Sequence, residues 1–584
     1  MNKKIFSCML ASVATVAATM SFSSCTSTAE GEAARILMNQ VAFYPNSDKE
    51  AILDTAYVGP VEIYDASGNR VMKVNAIPGL ESPFSGQKRS RIVFSDLKTV
   101  GDYELRIGKN VKHFAIREDA LRDATRAALK AFYYQRSGVE LEERYAGKWA
   151  RPMGHPDTQV MVHPTAATKK RPAGTIISSP FGWYDAGDYN KYIVNSAYSI
   201  GVMFQMYEMI PEYFAKLDVN IPESGDDVPD LLDEIYFNLK WMVTMQDTDG
   251  GLYHKLTTPN FEGFIMPTEC QQQRYVVQKT VTASYDYAAC MAMASRIYSK
   301  YEEYSEFAKT AIESAKRAYE WAKANPTAFY TQSANNEKYD PDVTTGEYGD
   351  GSAADEQMWA AVELYLTTGD ESYIEGLELP SAYGLNSWGN VASLAQWEMI
   401  SKDALKETEA SKVQLEQFKA YIETLREKAK RSDFSCAYGA VATDFHWGCL
   451  SEGCCNAGAE LLRASYLLGE EYSDCKALAL ANADYMLGRN PMDNCYVTGL
   501  GVKSTMYPHH RISHADSVEE PIPGLLAGGP NPGKQDGLNY PIDYPDMCYL
   551  DDMNSYASNE IAINWNASLV AFLAAVDEAY SVEK

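Results

Sequence analysis

The sequence lacks long apolar runs beyond its N-terminal segment and is poor in positive charge. No later stretch reaches about 18 uninterrupted apolar residues, so no membrane-spanning helix is predicted. Lys and Arg number 52 against 79 Asp and Glu, which gives a formal net charge of −27. Such a surface repels nucleic acid and anionic polymers, so we expect a neutral substrate and no nucleic-acid partner.

The cysteines show no metal-binding pattern. Of the 11 cysteines, Cys8 and Cys25 lie in the N-terminal segment, and an odd number remains, which cannot all pair internally. None of the spacings is that of a zinc site. We expect mostly buried thiols with one or two disulfides.

The first 25 residues are predicted to be a secretory signal. Lys3 and Lys4 precede an apolar stretch from Ile5 to Met20, and Ser23-Ser24-Cys25 follows. This end resembles a bacterial lipobox, although Phe22 replaces the commoner Leu, so Cys25 is predicted to carry a lipid anchor. The alternative is an ordinary cleaved signal with an incidental Cys25. The lipobox interpretation predicts an outer-membrane lipoprotein of the cell envelope that touches the membrane only through its lipid.

A chain of 584 residues is long enough for two domains. Residues 26–34 are small and polar and are predicted to be a tether. Short alternating runs separated by turn signals then predict a β-sandwich over 35–116, as in Val61–Tyr64 and Arg70–Val74. From 117 to 584 the apolar period becomes helical, for example from Val228 to Met242, and roughly a dozen helices with little strand are predicted.

Long loops rich in Gly, Asp and aromatics join these helices and are expected to carry the chemistry. In one of them Asp185 and Asp188 lie three residues apart, beside aromatic residues and just before a predicted helix. Both carboxyls could reach one water molecule. The alternative is that they only cap the helix.

Glu560 is a second candidate, because the apolar residues Ile561, Ile563 and Trp565 follow it. Burial among such residues raises the pKa of a carboxyl group, which suits a general acid. The alternative is a charge at a helix start. His509 and Arg511 form a third candidate that could donate hydrogen bonds to sugar hydroxyls, or could be solvated or ion-paired. The pair His509-His510 lacks a third ligand at a suitable spacing for a metal site.

Together these motifs resemble glycoside hydrolase family 9, from about Leu37 to the C-terminus. The resemblance is carried by residues 185–188, by the His-Arg motif at 509–511, and by a C-terminal pattern that includes Tyr549, Asp551, Tyr556, Glu560 and Asn566. Residues 36–45 resemble the opening strand of that family's N-terminal immunoglobulin-like domain. Cys495 departs from the usual small hydroxyl residue or Val.

The resemblance implies a mainly α protein, an (α/α)6 barrel after the immunoglobulin-like sandwich. It implies an inverting endo-β-1,4-glucanase in which Asp188 is the base, Asp185 helps to hold the water and Glu560 is the acid. His509, Arg511 and Tyr556 would bind the sugar, and Trp447, Trp388 and Tyr348 would be stacking platforms, or else only packing residues. Ser451 and Glu452 follow Trp447-Gly448, where relatives often place further cleft residues.

No cofactor is expected for the chemistry. Asp355 and Glu356 follow a Gly-rich turn and resemble the family's calcium site, for which an acidic helix start is the alternative. Zinc is not predicted, since His155 and His163 lack a neighbouring Cys. We expect a monomer that acts on a β-glucan.

Other functions remain open at this level. An inactive glycan-binding surface lipoprotein would require a damaged acid or base, yet Asp188 and Glu560 are both present. Exo-action, β-glucosidase activity, and a preference for xyloglucan or mixed-linkage glucan over cellulose-like chains depend on loop shape.

Overall fold

The structure, a computed structural model, describes residues 34–581. The signal segment with Cys25 and most of the tether lie outside the described residues. All nine cysteines in the described range are unpaired, so the expectation of one or two disulfides is wrong for these residues. All but Cys270 are buried, as expected for structural thiols.

The N-terminal region is a sandwich of two four-stranded sheets, with strand orders β1-β2-β6-β5 and β4-β3-β7-β8. In β7 the buried side chains Tyr103, Leu105 and Ile107 alternate with more exposed ones, so one face forms the core. Phe43 packs edge-on against Phe94 and Phe114 in this core. The strands are Ile36–Leu37 (β1), Glu50–Leu53 (β2), Pro60–Asp65 (β3), Arg70–Asn75 (β4), Ile77–Pro78 (β5), Ser90–Val93 (β6), Gly101–Ile107 (β7) and Asn110–Ile116 (β8).

The described chain then forms eleven helices of at least ten residues. They are Arg122–Gln135 (α1), Ile193–Met209 (α2), Asp230–Thr244 (α3), Val281–Tyr298 (α4), Ser305–Ala324 (α5), Ala354–Thr368 (α6), Ala392–Ser401 (α7), Glu409–Arg431 (α8), Ala457–Leu468 (α9), Cys475–Met486 (α10) and Ile563–Tyr580 (α11).

Burial separates inner from outer helices. Nearly every residue of α2, α4 and α11 is buried, so these helices are apolar on all sides and lie at the centre. Helix α5 instead buries one stripe of small residues, including Ala308, Ala311, Ala315, Ala318 and Ala322, and packs that stripe against α4. The whole is an (α/α)6 barrel preceded by an immunoglobulin-like sandwich, as the sequence predicts.

A five-stranded sheet among the barrel loops was not predicted. Its strand order is β10-β9-β13-β12-β11. The strands contain only two or three residues, too few for an alternating pattern to show in the sequence. They are Val160–Val162 (β9), Ile176–Ile177 (β10), Lys191–Tyr192 (β11), Lys255–Thr257 (β12) and Tyr275–Val276 (β13).

The sandwich packs directly on the barrel. The Tyr44 hydroxyl donates to Asp577 Oδ1 at 2.6 Å, and the Asn39 amide donates to Asp484 Oδ1 at 2.8 Å, both in buried surroundings. Asp577 belongs to α11, so the sandwich supports the far end of that central helix.

Candidate active site

The loop that carries Asp185 and Asp188 runs into β11 and α2. The Asp185 N–H donates to the Asn190 carbonyl at 3.0 Å, and the Asp185 carbonyl accepts the Ile563 N–H at 2.8 Å. Tyr192 is the N-cap residue of α2, and no side chain caps that helix end. The helix-capping alternative for the two Asp residues is therefore wrong.

Asp188 is held through one oxygen. Its Oδ2 accepts the Asn190 side-chain amide at 2.5 Å, the Asn190 N–H at 3.3 Å and the Tyr192 hydroxyl at 3.3 Å. Within the described chain Oδ1 has no such donor. The side chain lines a cavity, so this oxygen is available to a water molecule there.

Asp185 is held through both oxygens. Oδ1 accepts the Asn195 amide at 2.8 Å, and Oδ2 accepts the Tyr348 hydroxyl at 2.7 Å. Burial, followed by repulsion from Asp188, raises the pKa of the Asp185 carboxyl. The two acids therefore do not ionise independently.

Glu560 lies between a short helical turn, Tyr556–Asn559, and α11. Its carbonyl accepts the Gly528 N–H at 2.9 Å, and the preceding Asn559 carbonyl accepts the His509 N–H at 2.9 Å. Burial raises the pKa of Glu560 to about 8, with a further contribution from the charge of Asp188, whereas Arg511 opposes the rise. The carboxyl therefore keeps its proton at neutral pH, as a general acid requires.

His509 and Arg511 connect the acid segment to the base loop. His509 Nδ1 donates to the Met553 carbonyl at 2.6 Å, and burial lowers the pKa of His509 to about 4, so the ring is neutral. Arg511 donates from Nη1 to the Gly187 carbonyl at 2.7 Å and from Nε to the Glu262 carbonyl at 2.8 Å. Neither side chain is among those that line the cavity, and two Arg511 donors already serve the backbone.

Gly187 permits this close packing. A Cβ atom at this position would lie 2.1 Å from the His509 carbonyl oxygen. No other amino acid fits between Ala186 and Asp188 unless the two segments separate.

A cavity of about 510 Å³ joins the candidate residues. Of the predicted residues it is lined by Asp185, Asp188, Glu560, Tyr348, Trp388 and Trp447. Tyr556 stands outside the lining, but its ring centroid is 5.5 Å from that of Trp447. Phe261 also lines the cavity and was missed, because it lies in a segment without a recognisable motif. Trp565 was named only as an apolar neighbour of Glu560, and Glu452 only as a residue after Trp447-Gly448, yet both line the cavity.

A second carboxyl cluster lies at the start of α6. Asp355 Oδ2 accepts the Val391 N–H at 2.8 Å, while both carboxyl oxygens of Glu356 are buried without a hydrogen-bond partner among the described residues. The same holds for both oxygens of Asp286, on α4, which the sequence did not single out. Burial, followed by repulsion from Asp355 and Asp350, raises the pKa of Asp286. Burial, followed by repulsion from Asp286 and Asp355, raises the pKa of Glu356.

No three His, Cys, Asp or Glu side chains within residues 34–581 are already arranged to hold a metal ion. Buried, unpartnered carboxylates are nonetheless the hard oxygen donors that Ca²⁺ prefers, so the residues present fit that ion.

Comparison with known proteins agrees with this geometry. The profile of "Cellulase N-terminal ig-like domain" matches residues 31–112, and that of "Glycosyl hydrolase family 9" matches residues 122–573. A xyloglucan-specific endo-beta-1,4-glucanase of Bacteroides ovatus is 49% identical over 94% of this chain and 95% of its own length. Endoglucanase D of Acetivibrio thermocellus is 31% identical over 92% of this chain and 83% of its own.

Among solved structures, a Bacteroides ovatus family 9 protein superposes with a TM-score of 0.88 at 47% identity, covering 93% of this chain and 99% of that one. The motif residues, the barrel with its N-terminal sandwich and these full-length matches lead to one conclusion: the chain belongs to glycoside hydrolase family 9.

Proposed function

We propose that the protein is an endo-β-1,4-glucanase that hydrolyses β-1,4-linked glucans with inversion. The observation that carries this proposal is that Asp188, with one unpartnered oxygen, and Glu560, whose pKa is raised to about 8, line the same cavity. One carboxylate and one protonated carboxyl are the two groups that single displacement needs.

In the proposed reaction Asp188 Oδ1 removes a proton from water while the water oxygen attacks the anomeric carbon. Asp185, fixed by Asn195 and Tyr348, holds that water in line. Glu560 gives its proton to the departing glycosidic oxygen, so no charge accumulates on the leaving sugar. His509 and Arg511 keep the base loop and the acid segment together, and any sugar contacts they make come from their remaining donors.

Xyloglucan is the β-glucan that we place first as substrate, because the similar Bacteroides ovatus enzyme is named as specific for it. Digestion of three soluble β-glucans (a cellulose derivative, a mixed-linkage glucan and xyloglucan) tests this. An endo-enzyme lowers viscosity well before reducing ends accumulate. Release of only mono- or disaccharides would favour exo-action, and binding without new reducing ends would favour the inactive binding lipoprotein.

We also propose a structural calcium ion, held by Asp286, Asp355 and Glu356 with backbone carbonyls or water completing the shell. The support is the burial of Asp286 and Glu356 without protein donors. An ion here joins α4 to the start of α6 and supplies no step of the hydrolysis.

The lipid anchor on Cys25 stays a proposal supported by the sequence of the signal segment. No helix within the described residues is both long and apolar enough to cross a bilayer. Wild-type protein should sediment with membranes as a monomer, and Cys25→Ser should shift it to the soluble fraction. Wild type that is already soluble after export would contradict the lipobox interpretation.

A further inference from the structure

Tyr348 binds Asp185 from a strained backbone conformation. Its φ is +46°, in the left-handed region that a bulky aromatic residue rarely adopts. Such a conformation persists only where the surrounding structure holds it, and it is typical of residues at active sites. The Tyr348 hydroxyl donates to Asp185 Oδ2 at 2.7 Å, so whatever holds the Tyr348 backbone also affects the position of the Asp185 carboxyl.

Two consecutive residues of the chain hold the backbone just before Tyr348. Lys255 Nζ donates to the Gly346 carbonyl at 2.6 Å, and His254 Nε2 donates to the Glu347 carbonyl at 2.8 Å. Both side chains belong to buried residues, with exposed fractions of 0% for Lys255 and 1% for His254. The two peptide groups that lead into the strained residue are therefore fixed by one short segment.

Lys255 uses all three of its side-chain N–H donors here. Besides binding the Gly346 carbonyl, Nζ donates to Thr345 Oγ1 at 3.1 Å and to Gln332 Oε1 at 2.8 Å. All three acceptors are uncharged, although a buried ammonium group is ordinarily paired with a carboxylate. Burial lowers the pKa of Lys255 to about 7, and the negative charge of Asp188 opposes that fall. A buried lysine with uncharged acceptors is costly to the fold, so stability alone does not account for it.

The His254 ring is fixed by two further contacts. Its Nδ1 lies 3.0 Å from Thr280 Oγ1, and the ring stacks on Tyr330 with the centroids 4.6 Å apart and the planes 12° from parallel. Burial lowers the pKa of His254 to about 3, so the ring is neutral and carries one proton. Because Nε2 faces a carbonyl, that proton is assigned to Nε2, and Nδ1 accepts from the Thr280 hydroxyl. The contacts of the ring thus set the direction of the donor toward Glu347.

The same strand also lies behind the donors of Asp188. Lys255, the first residue of β12, pairs with Tyr192 of β11, and its Nζ lies 5.6 Å from the centroid of the Tyr192 ring. The Tyr192 hydroxyl in turn donates to Asp188 Oδ2. Just after the strand, the Thr258 N–H donates to Asn190 Oδ1 at 3.0 Å, which orients the amide group that Asn190 donates to Asp188. The strand and the residue after it therefore support both acids.

We propose that Lys255 and His254 are positioning residues of the catalytic centre, which hold the Tyr348 backbone so that its hydroxyl reaches Asp185. This inference rests on the proposed hydrolysis, in which Asp185 orients the attacking water, and it goes beyond that function by assigning two residues outside the cavity. Neither side chain is among those that line the cavity, so both act only through the residues that they hold.

The main test compares Lys255→Met with a matched variant, Lys279→Met. Both replace a largely buried lysine by an apolar side chain of similar length, but the Lys279 ammonium pairs with Asp247 and Asp249 instead. Lys255→Met should lower kcat on a soluble β-1,4-glucan by about 10- to 100-fold and change KM by less than about threefold, because a misplaced Asp185 costs alignment of the water and not substrate binding. Lys279→Met should keep kcat within about twofold of wild type when both are assayed below their melting temperatures.

Two further comparisons separate positioning from a general loss of stability. Tyr348→Phe removes the hydroxyl itself, so combining it with Lys255→Met should give a variant no more than about twofold slower than the slower single variant, because both changes break one chain of contacts. His254→Phe keeps a ring that can stack but loses the N–H, whereas His254→Gln keeps a donor near that position. The kcat should fall in His254→Phe and be largely restored in His254→Gln.

An unchanged kcat in Lys255→Met, or a loss confined to KM, would overturn the proposal. Losses that multiply in the double variant would overturn it as well, and so would equal losses of kcat in His254→Phe and His254→Gln. If circular dichroism shows that Lys255→Met does not fold, the two His254 variants decide the question. Failure of wild type to cut any β-1,4-glucan is a different outcome, which removes the proposed function itself.

Discussion

Two clusters of buried carboxyls within residues 34–581 differ in their hydrogen-bond partners. In the catalytic cluster Asp185 and Asp188 receive five donors from Asn190, Tyr192, Asn195 and Tyr348. In the cluster between α4 and α6, Asp286 and Glu356 receive none from the described residues. Similar residue types thus have different surroundings: donors that leave one oxygen open suit proton transfer, whereas carboxyls without donors support the proposed calcium ion.

The largest expected effect is on kcat, and it distinguishes the two clusters when an acid in each is replaced by its amide. Asp188→Asn should lower kcat on a soluble β-1,4-glucan by at least ~10²-fold, because the base is lost, and Glu560→Gln should do the same through the acid. Asp185→Asn should cost somewhat less if that residue only orients water. Asp286→Asn, made alongside, should keep most of the turnover at low temperature.

Aryl glycosides with good leaving groups sharpen this result. Glu560→Gln should recover much of its rate on them, since the leaving oxygen needs little protonation, whereas Asp188→Asn should not recover. Near wild-type cleavage of polymer by both variants would show that the base and acid are assigned wrongly.

A smaller effect is expected from calcium. An ion that binds only the folded state stabilises it by about 2.7 kcal/mol at 100 times its Kd, so chelation should lower Tm by several degrees. Asp286→Asn and Glu356→Gln should weaken the response to added Ca²⁺ in calorimetry. An unchanged Tm after thorough chelation would contradict the proposed calcium ion.

The pH dependence of the rate depends on the catalytic cluster only. Glu560 must be protonated and its pKa is raised to about 8, so kcat/KM on polymer should fall as the pH rises through that value. The fall should be absent in Glu560→Gln, whose amide does not titrate in this range. A pH profile for the wild type that is flat from 7 to about 9.5 would contradict the assigned acid.

The smallest effect is on stability. The folded-state pKa of Glu560 is raised from its ordinary value of 4.5, so its favourable contribution to stability is complete below pH 4.5 and is lost as the pH rises through about 8. Glu560→Gln should therefore gain a few degrees in Tm relative to wild type between these limits. An equal Tm difference at pH 4.5 and pH 8 would mean that Glu560 is not desolvated.

Much of this architecture follows from periodicity in the sequence. The helical period from Val228 to Met242 predicted a helix, which the structure places at Asp230–Thr244. The short run Val61–Tyr64 predicted a strand, which the structure places at Pro60–Asp65; each element buries one face over several residues. The carboxyls at 185, 188 and 560 could be picked out because aromatic or apolar neighbours surround them. Their meeting in one cavity depends on contacts across more than 300 residues, which no local pattern contains.

Other features of the site could not be predicted from any local sequence pattern. Asp286 is one acid within the largely apolar helix α4, and no neighbouring residue in the sequence marks it as a metal ligand. The hydrogen bonds of the π-helical turn Leu450–Asn456, which contains Glu452, span one residue more than those of an α-helix, and such a turn has no composition signal. Arg511 carries a recognisable motif, yet its engagement with the Gly187 and Glu262 carbonyls depends on the tertiary fold.

The contact of Gly187 with the His509 backbone has a consequence for how the active site forms during folding. Within residues 34–581, the base loop, the His-Arg segment and the acid are joined by hydrogen bonds between residues that are far apart in the chain, such as Arg511 to Gly187. Contacts of such long range carry a high loop-closure cost, so we expect them to form after the intervening helices have assembled. A partly folded chain should therefore have no partly working centre, and hydrolysis should appear only when the whole barrel has closed.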